Sequence, residues 1–178
     1  MVPKIFIETE RLYLRQWQPD DEAAYITMNQ DEKVMEFFPT TLTTEQSLQH
    51  ISHIKEHIRK VGYGLFALEK KEDHSFIGFT GFSHPAFEAG FTPCIEIGWR
   101  LATSSWNRGF ATEAAKACLV YGFKTLAFKD VYSFTAVQNA KSEQVMKKIG
   151  MQKLGEFDHP LLQQGHSLQK HVLYKIVN

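Results

Sequence analysis

The sequence predicts a chain of the α/β (α+β) class, with a mixed sheet covered by helices on both faces. Three observations predict it. Strand-period and helix-period patterns follow one another in the order β-α-α-β-β-β-α-β-α-β-β. The clearest helix has an apolar face made of small residues, suited to close packing on a sheet. The composition, 43% hydrophobic and 22% charged over 178 residues, fits one ordinary globular domain covering residues 1–178. No internal repeat, low-complexity tract or Gly/Ser-rich linker marks a boundary.

Arg11 to Gln16 (RLYLRQ) alternates polar and apolar residues as a half-buried strand does, and Pro19-Asp20-Asp21-Glu22 supplies acidic chemistry for a helix through about Asn29. Thr43 or Thr44 caps a second helix to about Lys60, in which Leu48, Ile51, Ile54 and Ile58 keep helical spacing, and Gly62 and Gly64 stop it. Gly64 to Glu69 and Phe76 to Ser83 flank the polar turn Lys70 to Ser75 as an antiparallel hairpin. After a loop with His84, Pro85 and Pro93, Cys94 to Leu101 (CIEIGWRL) reads as a strand. Ala111 to about Leu126 is the small-faced helix, with Ala111, Ala114, Ala115, Cys118, Leu119 and Gly122 on one side. Val131 to Val137 is a strand, Ala140 to Ile149 a short helix stopped by Gly150, and two strands close the chain near Gly155 to His159 and His171 to Val177.

Twenty basic against twenty acidic side chains give a formal net charge of zero. That removes the broad positive field expected of a nucleic-acid or anionic-membrane binder and points to a small, local target. No apolar run approaches the roughly 20 residues of a membrane span, and MVPKIFIETERL carries charge where a signal peptide needs its hydrophobic region. Cys94 and Cys118 make neither a disulfide framework nor a four-thiolate zinc site, although one bridge between them remains formally open. A reducing, cytoplasmic setting is the expectation.

The stretch that carries chemistry is Trp99 to Ala115 (WRLATSSWNRGFATEAA): a strand, a loop holding Asn107-Arg108-Gly109, and a helix N-terminus. The first N–H groups of a helix have no internal partner and carry about half a unit of positive charge, so they hold a phosphate oxygen without a lysine. Gly109 lets the backbone come close and Ala111 keeps the approach open. The plain alternative is a glycine that merely turns the chain. The segment is neither a P-loop nor a GxGxxG fingerprint.

At Trp106-Asn107-Arg108-Gly109-Phe110-Ala111 the sequence resembles the pyrophosphate loop of the GNAT superfamily of acyl-CoA-dependent N-acyltransferases, whose pattern is Gln/Arg-x-x-Gly-x-Gly/Ala. Trp106 in the first position departs from that pattern in a way familiar in the branch of RimJ and RimL, acetyltransferases of ribosomal-protein N-termini. Glu8-Thr9-Glu10-Arg11-Leu12 with Leu14-Arg15, Glu96-Ile97-Gly98-Trp99, and Asn139-Ala140-Lys141-Ser142 with Lys148-Ile149-Gly150-Met151 resemble the same branch in the expected order.

The resemblance implies a GNAT fold, with a central, mostly antiparallel sheet of about seven strands, and acetyl-CoA as cosubstrate. It implies that the backbone of Asn107, Arg108, Gly109, Phe110, Ala111 and Thr112 takes the pyrophosphate. The strand at Trp99, Arg100 and Leu101 would pair with the pantetheine, and Asn139 would contact the coenzyme arm, a role that coexists with a plain N-cap. Dimerisation is common among relatives, but no stretch of this sequence demonstrates it.

Acyl transfer to an amine needs a neutral nucleophile, a polarised thioester and a proton for the departing thiolate. A lysine amine is neutral in only about one molecule in 2,500 at pH 7, and an α-amine in roughly one in ten, so a terminal amine asks less of a base. Glu96 is the leading base candidate because it interrupts an apolar strand just before the coenzyme-binding residues; the alternative is an ion pair with Arg100 or Arg15. Where many superfamily members place a tyrosine seven residues after the asparagine, this chain has Met146. Ser142, one turn earlier, resembles the serine of the RimJ/RimL branch and is the candidate acid, unless its hydroxyl bonds back to its own helix.

His50, His53 and His57 recur at helical spacing, but without a carboxylate or cysteine alongside they read as a solvated face, and no metal is expected; the resemblance implies that this helix borders the acceptor cleft. Asp158-His159-Pro160 reads as a turn before a proton relay. Phe37, Phe38, Phe82, Phe87 and Phe91 are core or acceptor-pocket residues. The expected activity is therefore N-acetylation of a primary amine, a protein N-terminus, a small amine or an amino-acid derivative, by direct attack in a ternary complex. The competing class is a non-catalytic acyl-CoA-binding module that kept the loop and lost the chemistry, for which Met146 is the support.

Overall fold

The computed structural model describes residues 3–178; Met1 and Val2, the first residues of the N-terminal segment read above, lie outside them. The order of elements is β1 (Ile5–Glu8), β2 (Leu12–Arg15), α1 (Asp21–Gln30), α2 (Thr44–Val61), β3 (Leu65–Lys70), β4 (Phe76–Ser83), β5 (Glu96–Leu101), a 3₁₀ turn at Thr103–Ser105, α3 (Phe110–Lys124), β6 (Asp130–Ala136), α4 (Ala140–Lys148), β7 (Gln152–Asp158) and β8 (Lys170–Val177). The strands form one sheet in the order β1-β2-β3-β4-β5-β6-β8-β7, in which β5 and β6 are parallel and every other neighbouring pair is antiparallel. This is a central, mostly antiparallel sheet of the expected kind, with eight strands where about seven were expected. The extra strand is β1, an edge segment whose consecutive apolar residues Ile5-Phe6-Ile7 show no alternation.

Helices cover both faces, as the patterning predicts. On one side Ala114, Ala115, Cys118 and Leu119 of α3 and Met146 of α4 pack on Leu14, Phe66, Phe82 and Ile97. The small face of α3 is a geometric requirement: a Cβ on Gly122 would stand 2.7 Å from the Phe82 ring. On the other side Tyr25 and Met28 of α1 and Ile51 and Ile54 of α2 pack on Trp17, Ala67 and Phe79. Each fully buried side chain of this size is worth about 1.5–3 kcal/mol.

Local signals fix the ends. Thr43 and Gln46 close a reciprocal capping box on α2, and Gly62 stops that helix in the left-handed conformation at φ 84°. The acidic opening of α1 has a further role: Asp21 is buried and pairs with Arg15 at 2.8 Å, and the same guanidinium bonds Glu69, so three buried charges tie β2, α1 and β3 together. Cys94 and Cys118 are both buried free thiols, which closes the bridge left open by the sequence.

Candidate active site

The sheet is split where its two parallel strands meet. Pairing between β5 and β6 is confined to Glu96↔Tyr132, with Tyr132 N–H donating to the Ile95 carbonyl at 2.8 Å and the Ser133 hydroxyl to the Ile97 carbonyl at 3.0 Å. Beyond Ile97 no registered pair remains, and the strands part into a wedge. Backbone groups of a strand alternate between its two edges, so those of Trp99 and Leu101 fall on the same edge as Ile95 and Ile97 and turn toward the opening. Arg100 differs from its neighbours. Its carbonyl faces β4, where a Cβ on Gly78 would stand 2.2 Å away, so of the three strand residues expected to meet the pantetheine only Trp99 turns both its backbone groups to the wedge, Leu101 turning its N–H there while its carbonyl accepts from Trp106.

The loop ahead of α3 borders this opening. Asn107 and Gly109 take positive φ (58° and 80°), which turns the chain sharply, and Asn107, Arg108 and Gly109 are exposed. Gly109 is the N-cap of α3 and has no side chain to cap with, so the first amides of the helix, those of Phe110, Ala111 and Thr112, receive no side-chain cap. By contrast α2 closes its own N-terminus with the capping box, and α4 with Asn139. Phe110 is buried, so its backbone N–H is what it can offer. Uncapped amides at the positive end of a helix, behind an exposed loop, fit an anionic diphosphate.

Trp106 replaces the usual first residue of the loop with a structural bond. Its Nε1–H donates to the Leu101 carbonyl at 2.8 Å, and the Lys141 ammonium of α4 stands 4.2 Å from its ring centre, so the loop is tied to the end of β5 and to the start of α4. Arg11 holds the loop from the other side: its Nη1 donates to the Arg108 carbonyl at 3.0 Å, its Nε donates to Glu113 at 2.7 Å, and its guanidinium covers the Phe110 ring. Thr9 adds a 2.6 Å bond to Glu113. Burial opposes the charge of Glu113, but the bonds from Thr9 and Arg11 outweigh it and hold the carboxyl below its ordinary range. The sequence marked Thr9 and Arg11 only as part of a resemblance; their purpose lies about a hundred positions away.

Glu96 sits at the vertex, in the last registered pair before the strands separate. Neither ion pair proposed for it exists. Arg15 is engaged by Asp21 and Glu69, and Arg100 bonds Asn29 at 2.8 Å. Its side-chain partner is the Ser83 hydroxyl at 3.1 Å. Burial pushes its carboxyl up to about 7, against the opposing effect of the Ser83 bond. A carboxyl near neutrality is half ionised at pH 7 and accepts a proton readily.

On the far side of the wedge, Asn139 caps α4. Its Oδ1 accepts from the Ser142 N–H at 3.2 Å and its Nδ2 donates to Thr135 at 2.9 Å, so both ends of the amide already serve the fold. The Ser142 hydroxyl takes no part in that cap and the residue is partly open. Met146, at the position of the absent tyrosine, is buried in the core against the α3 side of the sheet.

The histidines of α2 depart from expectation. His53 is exposed, but His50 bonds the Tyr25 hydroxyl, and burial, with the Arg100 charge and then His53, lowers it to about 4. His57 packs between Tyr63 and His84, its buried Nε2 without a partner. His50 and His57 turn inward where a solvated face was expected, His53 alone staying in solvent, and among the described residues no metal-holding group of His, Cys, Asp or Glu occurs. Asp158 pairs with Lys170, and His159 bonds within its own turn, which is the turn reading. Among the phenylalanines, Phe82 is core, Phe38 covers Arg100, and Phe87 and Phe91 pack on Phe134 and Phe157 beside the vertex.

A family model described as an acetyltransferase (GNAT) domain matches residues 11–152. YnaD of Bacillus subtilis (strain 168), described as an uncharacterized N-acetyltransferase, is 30% identical over 153 residues, covering 85% of each chain. A GNAT-family acetyltransferase from Bacillus anthracis has a crystal structure that superposes with a TM-score of 0.80 at 26% identity, covering 97% of this chain and 98% of that one. RimJ of Mycobacterium smegmatis, solved with CoA-disulfide, shares the fold at a TM-score of 0.73 and 20% identity, covering 93% of this chain and 81% of that one.

Proposed function

Since the chain belongs to the GNAT acetyltransferase family and is an acetyl-CoA-dependent acetyltransferase, we propose that its acceptor is a primary amine, attacked directly within a ternary complex, and that its nearest functional kin are of the RimJ/RimL kind. The observation that carries this reading is the position of Glu96, a carboxyl near neutral pKa at the point where β5 and β6 part.

Acetyl-CoA bound in the wedge supplies an activated acetyl thioester. The amides of Phe110, Ala111 and Thr112 and the exposed turn at Asn107, Arg108 and Gly109 hold its pyrophosphate, while the wedge-facing backbone of Trp99 and Leu101 lies along its arm, with Asn139 opposite. Glu96 in its ionised form takes the proton of the acceptor amine through a water molecule. The amine nitrogen bonds the acetyl carbon as the C–S bond breaks, and the Ser142 hydroxyl hydrogen-bonds the departing thiolate, which takes its proton from water, since Met146 has no hydrogen bond to give.

Calorimetry with acetyl-CoA, followed by thiol release across a panel of primary amines and peptide N-termini, tests the reading. Micromolar binding with turnover on an amine supports it. Binding without turnover on any amine overturns the acceptor class, and mass spectrometry of the acceptors after incubation with labelled acetyl-CoA identifies the bond formed.

A further inference from the structure

Arg100 is enclosed in a way its known partners do not account for. It lies on β5 with Gly98 and Glu96 on one face of the sheet, the face covered by α1 and α2, opposite Trp99 and Leu101. Its guanidinium lies 4.2 Å from the centre of the exposed Phe38 ring and 5.4 Å from that of Phe79. Its one side-chain bond goes to the neutral Oδ1 of Asn29, and its Nε is buried without a partner. It touches Phe38, Asn29 of α1 and Phe79 of β4, with Tyr25 of α1 and His50 of α2 within electrostatic range, and none of these carries negative charge at neutral pH. Among the described residues no carboxylate lies within ion-pair distance of it, although every carboxylate needed for the buried Arg15 is in place. A largely enclosed guanidinium whose buried Nε has no partner and which faces no anion is costly to keep, and its planar fork matches a carboxylate.

Between Arg100 and the vertex the floor is bare. Gly98 pairs across the sheet with Gly81, and a Cβ on Gly98 would meet nothing within 4 Å. That leaves an open strip with Glu96 at one end and Arg100 at the other, four residues and about 13 Å of strand apart.

We propose that Arg100 anchors a carboxylate of the acceptor, so that the substrate is a small amine bearing a carboxylate several bonds from the nitrogen, laid over Gly98 with its amine at Glu96. This deepens the amine-acceptor reading and rests on it. Polyamines and aminoglycosides, which carry only positive charge, are disfavoured on the same ground.

The test uses 6-aminohexanoate and alanyl-alanine, each beside its carboxamide. In the wild-type protein the ¹⁵N-edited resonance of Arg100 Nε–H, assigned by its loss in R100Q, should move saturably with 6-aminohexanoate and stay still with 6-aminohexanamide. In thiol-release assays the acids should exceed the amides at least tenfold in kcat/KM, and R100Q should bring that ratio within about twofold by raising the KM of the acid. R100K, which keeps the charge but loses the fork, should fall between. An Nε–H resonance indifferent to the acid, or equal use of acid and amide by the wild type, overturns the proposal. Calorimetry separates this from the parent reading: absence of acetyl-CoA binding sinks the coenzyme site, whereas binding with no response at Arg100 sinks the carboxylate anchor alone.

Discussion

Arg11 Nη1 donates to the Arg108 carbonyl at 3.0 Å, joining two segments 97 positions apart and fixing the exposed turn that precedes α3. The same side chain pairs with Glu113 at 2.6 Å in the first turn of that helix, so one guanidinium spans the loop and the helix whose amides it leaves uncovered. The loop ahead of α3 is thus held from outside, by the chain's N-terminal hairpin.

Arg11→Met should loosen the loop without unfolding the protein. The side chain is 45% exposed, so its ion pair is worth no more than about 1 kcal/mol and the fold survives its loss. Acetyl-CoA affinity measured by calorimetry should fall about fivefold, with turnover at saturating coenzyme nearly unchanged.

Gly109→Val should abolish acetyl-CoA binding. The position holds φ 80°, a conformation a β-branched residue resists, and a Cβ there would stand 3.4 Å from the Arg11 guanidinium that holds the loop, so the turn that presents the α3 amides cannot keep its shape. A loss of affinity of more than about 100-fold with a retained circular dichroism spectrum is the expected result; normal binding would show that the loop only turns the chain.

Glu96→Gln should lower kcat/KM by roughly 100-fold and change its pH profile. In the wild type, activity should rise as pH passes through about 7, because the base must be ionised. The glutamine variant should lose that limb.

Stability follows the same group with the opposite sense. The folded-state pKa of Glu96 lies above its unfolded value of 4.5, so the native state binds more protons between these two pH values, and wild-type stability declines from about pH 4.5 to about pH 7. Thermal melts of wild type and E96Q should therefore diverge in favour of the variant as pH rises across this interval. A constant difference in Tm would place the carboxyl in an ordinary, solvated environment.

Ser142→Ala should reduce kcat about tenfold with little change in the KM for acetyl-CoA. Restoring the tyrosine of other family members at Met146 should fail to replace it. Met146 is 1% exposed and packed in the core, so Met146→Tyr overpacks the site and should cost about 1–3 kcal/mol in denaturant unfolding without raising turnover.

Much of this protein is local, and that part was legible in the sequence. Helix α2 announces itself by Thr43, its apolar spacing and Gly62, and β4 by an apolar run between turns, because caps, periodicity and glycine conformations act within a few residues. The loop at Asn107 to Gly109 and the uncapped start of α3 were visible for the same reason: a glycine N-cap before a small-faced helix leaves its amides bare whatever the rest of the chain does. The isolated Glu96 stood out among Ile95, Ile97 and Trp99 as a charge the strand could not explain.

Tertiary structure decided the partners. Whether Glu96 would find Arg15, Arg100 or no cation depended on Asp21 and Glu69 claiming the first and Asn29 holding the second, contacts made by elements distant in sequence. The inward turn of His50 and His57, the purpose of Arg11, and the edge strand β1 were settled by packing across the sheet, which has no period to read along the chain. The sequence by itself determined which backbone groups would be left uncapped at α3 and which side chain would be anomalous on β5. Only the fold decided that β5 and β6 separate at Glu96, because strand pairing is a relation between two segments and its last hydrogen bond is written in neither.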